Sequence, residues 1–191
     1  MFRSNDSRHA SERASEYATC ENFQQIFDED MAALHQLAYL LTADTALAEQ
    51  CFLAALDDSI HGNPVFKQWA RAWSKRAIIQ NAIKTVAPAP GNEDSRNISD
   101  GGLRKKDPGK NSLAGAVIAW PAFDRFVFVM SVLEGYSLRE CSTLLSCKVQ
   151  DVIESKSAVL QRLADEPAGV AAASALAGIP WDTLRTRAQV A

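Results

Sequence analysis

The sequence predicts an all-α protein made of two small helical domains joined by a flexible linker. Three observations carry that prediction. Apolar residues recur at three- and four-residue steps through most of the chain, no stretch reads as a strand, and a Pro-, Gly- and charge-rich interval at 87–111 interrupts the helical pattern. With 47% hydrophobic and 23% charged residues among 191, the chain can supply a packed core and is neither fibrous nor wholly disordered.

Residues 1–20 are rich in Ser, Arg, Glu and Asp with no apolar core of a signal peptide, so a disordered N-terminal segment and no secretion are expected. No apolar run reaches the roughly 18 residues of a membrane span, and a cytoplasmic protein without membrane insertion follows as the expectation. The first domain, 21–86, opens with Phe23, Ile26, Phe27, Met31, Leu34, Leu37, Ala38 and Leu41 on one face of a single long helix. His35 lies inside it and reads as a partly buried structural imidazole. A second helix starts at Asp44 as N-cap and runs to about Asp58, burying Leu47, Cys51 and Ala55 with Phe52 and Leu56 as neighbours. His61-Gly62-Asn63-Pro64 ends it.

A third helix over 65–86 turns Trp69, Trp73, Ile79 and Ile83 inward, while Lys67, Arg71 and Lys75 step by four along another face. This helix holds no acid, so partners for its cations must come from the two acidic helices before it, from solvent or from a nucleic acid. The net charge of -3 conceals that segregation. Residues 1–64 carry 3 basic and 11 acidic side chains, 65–110 carry 10 and 4, and 111–191 carry 7 and 8. Positive charge concentrated in one stretch suits a polyanion met by that stretch alone.

The interval 87–111 contains Pro88, Pro90, Gly91, Gly101, Gly102, Pro108 and Gly109 and little to bury, so the two domains are expected to move independently. In the second domain, 112–164, a short helix carries Leu113, Val117 and Ile118, and Pro121 opens another that runs to about Leu133 and stops at Gly135. Ser137-Leu138-Arg139-Glu140 is a capping box starting a short helix to about Leu145. After Ser146-Cys147-Lys148, a further helix over Val149 to Ala164 points Val152, Val159, Leu160 and Leu163 inward, which completes a helix-turn-helix pattern. Residues 165–191 form an Ala-rich tail, with a last short helix at Pro180 and Trp181.

The run Trp120-Pro121, Arg125, Phe128-Val129, Leu133-Glu134-Gly135-Tyr136-Ser137, Glu140, Leu144-Leu145 and Val152 resembles, without a gap, region 4 of the extracytoplasmic-function sigma factors. The first domain is similar to region 2 of that family in its order of an apolar helix, a helix ending in Cys51-Phe52-Leu53 and a Trp-rich basic helix with Phe66, Trp69 and Trp73. The resemblance implies that one module binds the RNA polymerase core and promoter DNA, and the other promoter DNA. It assigns Lys67, Arg71, Lys75 and Arg76 to phosphates, with Trp69 and Trp73 supporting the fold or stacking on unpaired bases.

The family's polymerase-contact signature falls on Thr45, Ala46, Glu49 and Phe52 here. In the recognition helix, the family's Lys and Arg fall on Ile153 and Ser155, and the Thr before Val152 falls on Asp151. DNA contacts are then assigned to Arg139, Lys148, Gln150, Asp151, Glu154 and Ser155, where Gln150 suits an adenine edge and the carboxylates a cytosine amino group. Ser146 stands where the family's turn has Gly, a left-handed position that a side chain strains.

Two functions follow from the resemblance. One is a sigma-factor-like transcription initiation protein that binds the RNA polymerase core and promoter DNA, with an anti-sigma-like regulator as a further partner. The other is a sigma-derived interaction regulator that has lost promoter recognition. Catalysis is not expected: the sequence has no Gly-rich phosphate loop, H-E-x-x-H, nucleophile elbow or Cys–His pairing. Cys20, Cys51, Cys141 and Cys147 form no C-x-x-C pair and read as reduced thiols rather than a redox or zinc site, so neither a metal nor a cofactor is expected.

Overall fold

Thr19 opens the first helix. Its hydroxyl accepts the Asn22 amide and its own amide donates to the Asn22 side chain, a reciprocal cap that starts α1, Cys20–Glu29. The computed structural model describes residues 16–91 and 113–165. Helices make up most of the described residues, and extended pairing among them is limited to one antiparallel bridge, Tyr17 with Phe66. The tail at 166–191, most of the linker and most of the N-terminal segment lie outside the described residues.

The single helix expected over Phe23 to Leu41 is two: α1 ends at Glu29 and α2 spans Met31–Thr42. Asp30 joins them at φ -99°, ψ 11°, donating its amide to Ile26 and accepting that of Leu34. The break sets Asp28, Glu29 and Asp30 at the N-terminal end of α2, where the helix dipole is positive and favours carboxylates. The side chains of Leu34, Leu37, Ala38, Leu40 and Leu41 are buried around most of α2, which makes it the central helix of the first segment.

Asp44 caps α3, Thr45–His61, by accepting the Leu47 amide at 2.9 Å, the cap the sequence predicts. Its buried stripe is Ala48, Cys51, Ala55 and Ser59, all small, which lets α4, Ala70–Val86, approach closely with Ser74, Ala77, Ile78 and Ala82. Leu47, Phe52 and Leu56 are only partly buried. Before α4 the chain makes a 3-10 turn at Lys67–Trp69, which rotates Trp69 out of the core to 56% exposure, against the inward position expected for it.

In the second segment α5, Leu113–Ile118, leads to Pro121 and α6, Ala122–Phe128. The expected continuation to Leu133 is present but widens into a π-helical turn over Val129–Leu133. From Phe123 through Ser131 every side chain except that of Asp124 is buried, so this is the central element of its segment. The Ser137–Glu140 capping box starts α7, Leu138–Leu144, and Ser146 at φ 51° takes the left-handed turn into α8, Val149–Asp165. Val152, Val159 and Leu163 point inward as expected; Leu160 does not, at 43% exposure.

The two segments do not stand apart. One apolar core runs from Phe27, Leu34 and Leu41 through Ile78 and Ile79 to Val117, Phe126, Val129, Val152 and Leu163. Arg125 ties it together. Its buried guanidinium donates from Nε and Nη2 to the Leu41 carbonyl at 3.1 and 3.0 Å, and from Nη1 to Ile118 and Trp120 carbonyls at 3.4 and 3.2 Å. These carbonyls lie at the C-terminal ends of α2 and α5, where acceptors lack helical partners and the dipole attracts a cation. The sequence expectation of independent motion therefore differs from the arrangement seen: apolar residues in both segments are buried against each other, whatever the composition of the chain between them.

Candidate functional site

Two surfaces of this core are concave. The first lies between α2 and α3, a groove of about 780 Å³ lined by Asp28, Glu29, Met31, His35, Tyr39, Thr45, Glu49, Phe52 and Leu53. The small stripe of α3 turns inward and leaves the larger side chains on the opposite side. Leu53 is 58% exposed and Met31 54%, while Phe52 sits edge-on to Phe27 at a centroid distance of 5.2 Å. Three of the four residues assigned to polymerase contact, Thr45, Glu49 and Phe52, line this groove; Ala46 is exposed outside it. Asp28, Glu29 and Glu49 give it an acidic rim. Met31, Leu53, Tyr39 and His35 were not among the assigned residues, although the small residues at 48, 51, 55 and 59 already mark the side of α3 opposite Leu53.

The second concavity, about 550 Å³, opens between the two segments. Phe66, Trp69 and Trp73 line one side, Glu134, Gly135, Tyr136 and Glu140 the other, with Lys75 and Arg76 between. The indole N–H of Trp73 is buried with no acceptor among the described residues.

The cations assigned to phosphates have protein partners. Arg71 bridges Glu29, at 2.8 Å, and Asp30. That contact raises its pKa, and the Glu29 carboxyl falls below its usual range through hydrogen bonds from Gln25 and then Arg71. Lys75 reaches across the segments to Glu134 at 3.0 Å, whose side chain is only 7% exposed. Arg76 faces Tyr136 and Glu140. Burial lifts the Tyr136 hydroxyl pKa against the opposing pull of Arg76, and the Ser137 hydroxyl and amide hold the Glu140 carboxyl below its usual range. Lys67 stays exposed on the 3-10 turn.

On the helix-turn-helix, Arg139, Lys148, Gln150 and Glu154 are exposed. Gln150 donates to Glu154 at 3.0 Å, and Asp151 accepts the Lys148 amide at 3.0 Å, so its carboxylate serves the start of α8. Ser155 is a correction: it is buried and donates to Asp124 at 2.7 Å, because α8 turns that position onto α6. Arg162 pairs with the same carboxylate at 2.8 Å. Among the described residues no three metal-ligating side chains are gathered, and no helix is long and apolar enough to cross a membrane.

Compared with protein-family models, curated proteins and solved structures, the chain matches none. The functional reading therefore rests on the motifs and on this geometry.

Proposed function

We propose that this chain is a sigma-factor-like transcription protein that works in the cytoplasm without catalysis of its own, docking on the RNA polymerase core through the α2–α3 groove and presenting a helix-turn-helix to promoter DNA. The observation that carries the reading is the convergence of Thr45, Glu49 and Phe52 on one open groove that also exposes Met31 and Leu53. Exposed apolar side chains inside an acidic rim suit an amphipathic helix with basic flanks, where the apolar anchors supply affinity and the rim selects the partner.

A second reading, a sigma-derived regulator that no longer reads promoters, draws support from a different observation. Arg71 and Lys75 are engaged by carboxylates of the same chain, Ser155 is buried, and α8 exposes Val149, Ile153 and Leu160 where phosphate contacts need cations. Run-off transcription with core polymerase over a pool of promoters separates the two. Initiation on any template supports the sigma-like reading. Retention of core polymerase without initiation supports the regulator, and failure to retain polymerase removes the sigma-like reading.

A further inference from the structure

We propose that residues 134–140 form an acidic strap that occupies the phosphate-binding cations of α4, so that duplex DNA and the strap compete for the same side chains. The inference rests on the reading that α4 meets DNA and concerns how that face is regulated.

Several observations place the strap. Glu134, nearly buried, holds Lys75 at 3.0 and 3.4 Å through its two oxygens, the way a phosphate would hold an ammonium. Tyr136 and Glu140 line the same cleft as Arg76, the next cation of α4. Of the four cations assigned to phosphates, Lys75 is thereby paired by this stretch of the second segment and Arg76 lies beside it in the same cleft, while Arg71 is paired by Glu29 and Asp30. Lys67 is exposed on the 3-10 turn.

The strap's carboxylates can leave α4 without unpacking the core beneath them. It follows the π-helical turn at Val129–Leu133 and carries Gly135 at φ 72°, where an added Cβ would meet nothing within 4 Å. Beside it lies the 550 Å³ cleft, where the buried Trp73 N–H has no acceptor among the described residues, while Tyr136 and Leu138 are the strap side chains that pack on the core. Arg125 and the apolar core hold the segments together a helix away, so the Glu134 and Glu140 side chains can leave α4 while the segments remain joined.

Anisotropy titration of the full chain with a labelled random-sequence duplex over a range of salt concentrations tests this. Glu134→Gln with Glu140→Gln removes both charges, and Gln at 140 preserves the capping box. The log–log salt slope should steepen by about one unit or more relative to wild type, about one for each cation released to a phosphate. Adding Lys75→Gln should return about one unit. As a control, Glu21→Gln with Asp57→Asn makes the same change in net charge on remote exposed positions and should leave the slope unchanged.

An unchanged slope in the strap variant, or an equal change in the control, overturns the proposal. If the double variant loses its helical circular dichroism, Glu134→Gln alone should still steepen the slope by about one unit, and an unchanged slope overturns the proposal. Core polymerase retention by the same variants is read separately: its loss in wild type speaks against the docking reading, while the salt slope alone decides the strap.

Discussion

Arg125 places a guanidinium beneath the carbonyl ends of two helices that belong to different segments. Leaving buried carbonyls without donors costs about 1–3 kcal/mol each, so Arg125→Met should lower stability by roughly 3 kcal/mol or more. Arg125→Lys should recover little, because one ammonium cannot span the Leu41 and Trp120 carbonyls as the planar fork does. Urea denaturation measures both. Ser146 carries the opposite signature: its left-handed φ of 51° strains an L side chain, and Ser146→Gly should raise stability by about 0.5–1 kcal/mol with no change in denaturant slope.

Cys141 adds a pH dependence. Burial pushes its thiol up to about 11, against an ordinary value of 9.0. The folded state thus keeps the thiol proton when the unfolded chain has lost it. Its contribution is present in full below pH 9 and is lost as pH rises toward about 11. A thiol reagent at pH 8 should label exposed Cys20 at once and Cys141 only on unfolding, as peptide mapping would read.

At the scale of elements, local chemistry was legible in the sequence wherever a side chain bonds to its own backbone. Asp44 and Ser137 cap α3 and α7 as the residue types and spacing predict, and Ser137→Ala should cost about 1 kcal/mol, read as a lower thermal midpoint. Positions decided by a distant partner were not legible. Trp69 shares helical spacing with Trp73, yet a 3-10 turn sends it outward; Ser155 aligns with a basic position, yet Asp124 from α6 takes its hydroxyl. The cations of α4 show the same division. Their lack of acids within the helix is written in the sequence, but which carboxylates answer them depends on how α1 and the 134–140 stretch fold back.

The whole molecule turns on how the segments meet. Apolar periodicity identified the inward faces of each segment, but not that those faces share a core, because a sequence pattern says which side is buried and not against what. A shared core predicts one calorimetric transition whose calorimetric and van't Hoff enthalpies agree, whereas two separately melting units would contradict it.

The proposed docking on RNA polymerase through the α2–α3 groove can be probed at Leu53, whose exposed side chain can be changed without disturbing the core. Surface-immobilised core polymerase should bind the wild-type chain, and Leu53→Asp should weaken that binding by about tenfold or more, the scale of one lost apolar anchor, with an unchanged thermal midpoint. A wild-type chain that does not bind core polymerase, or a Leu53→Asp variant that binds equally well, would contradict the account.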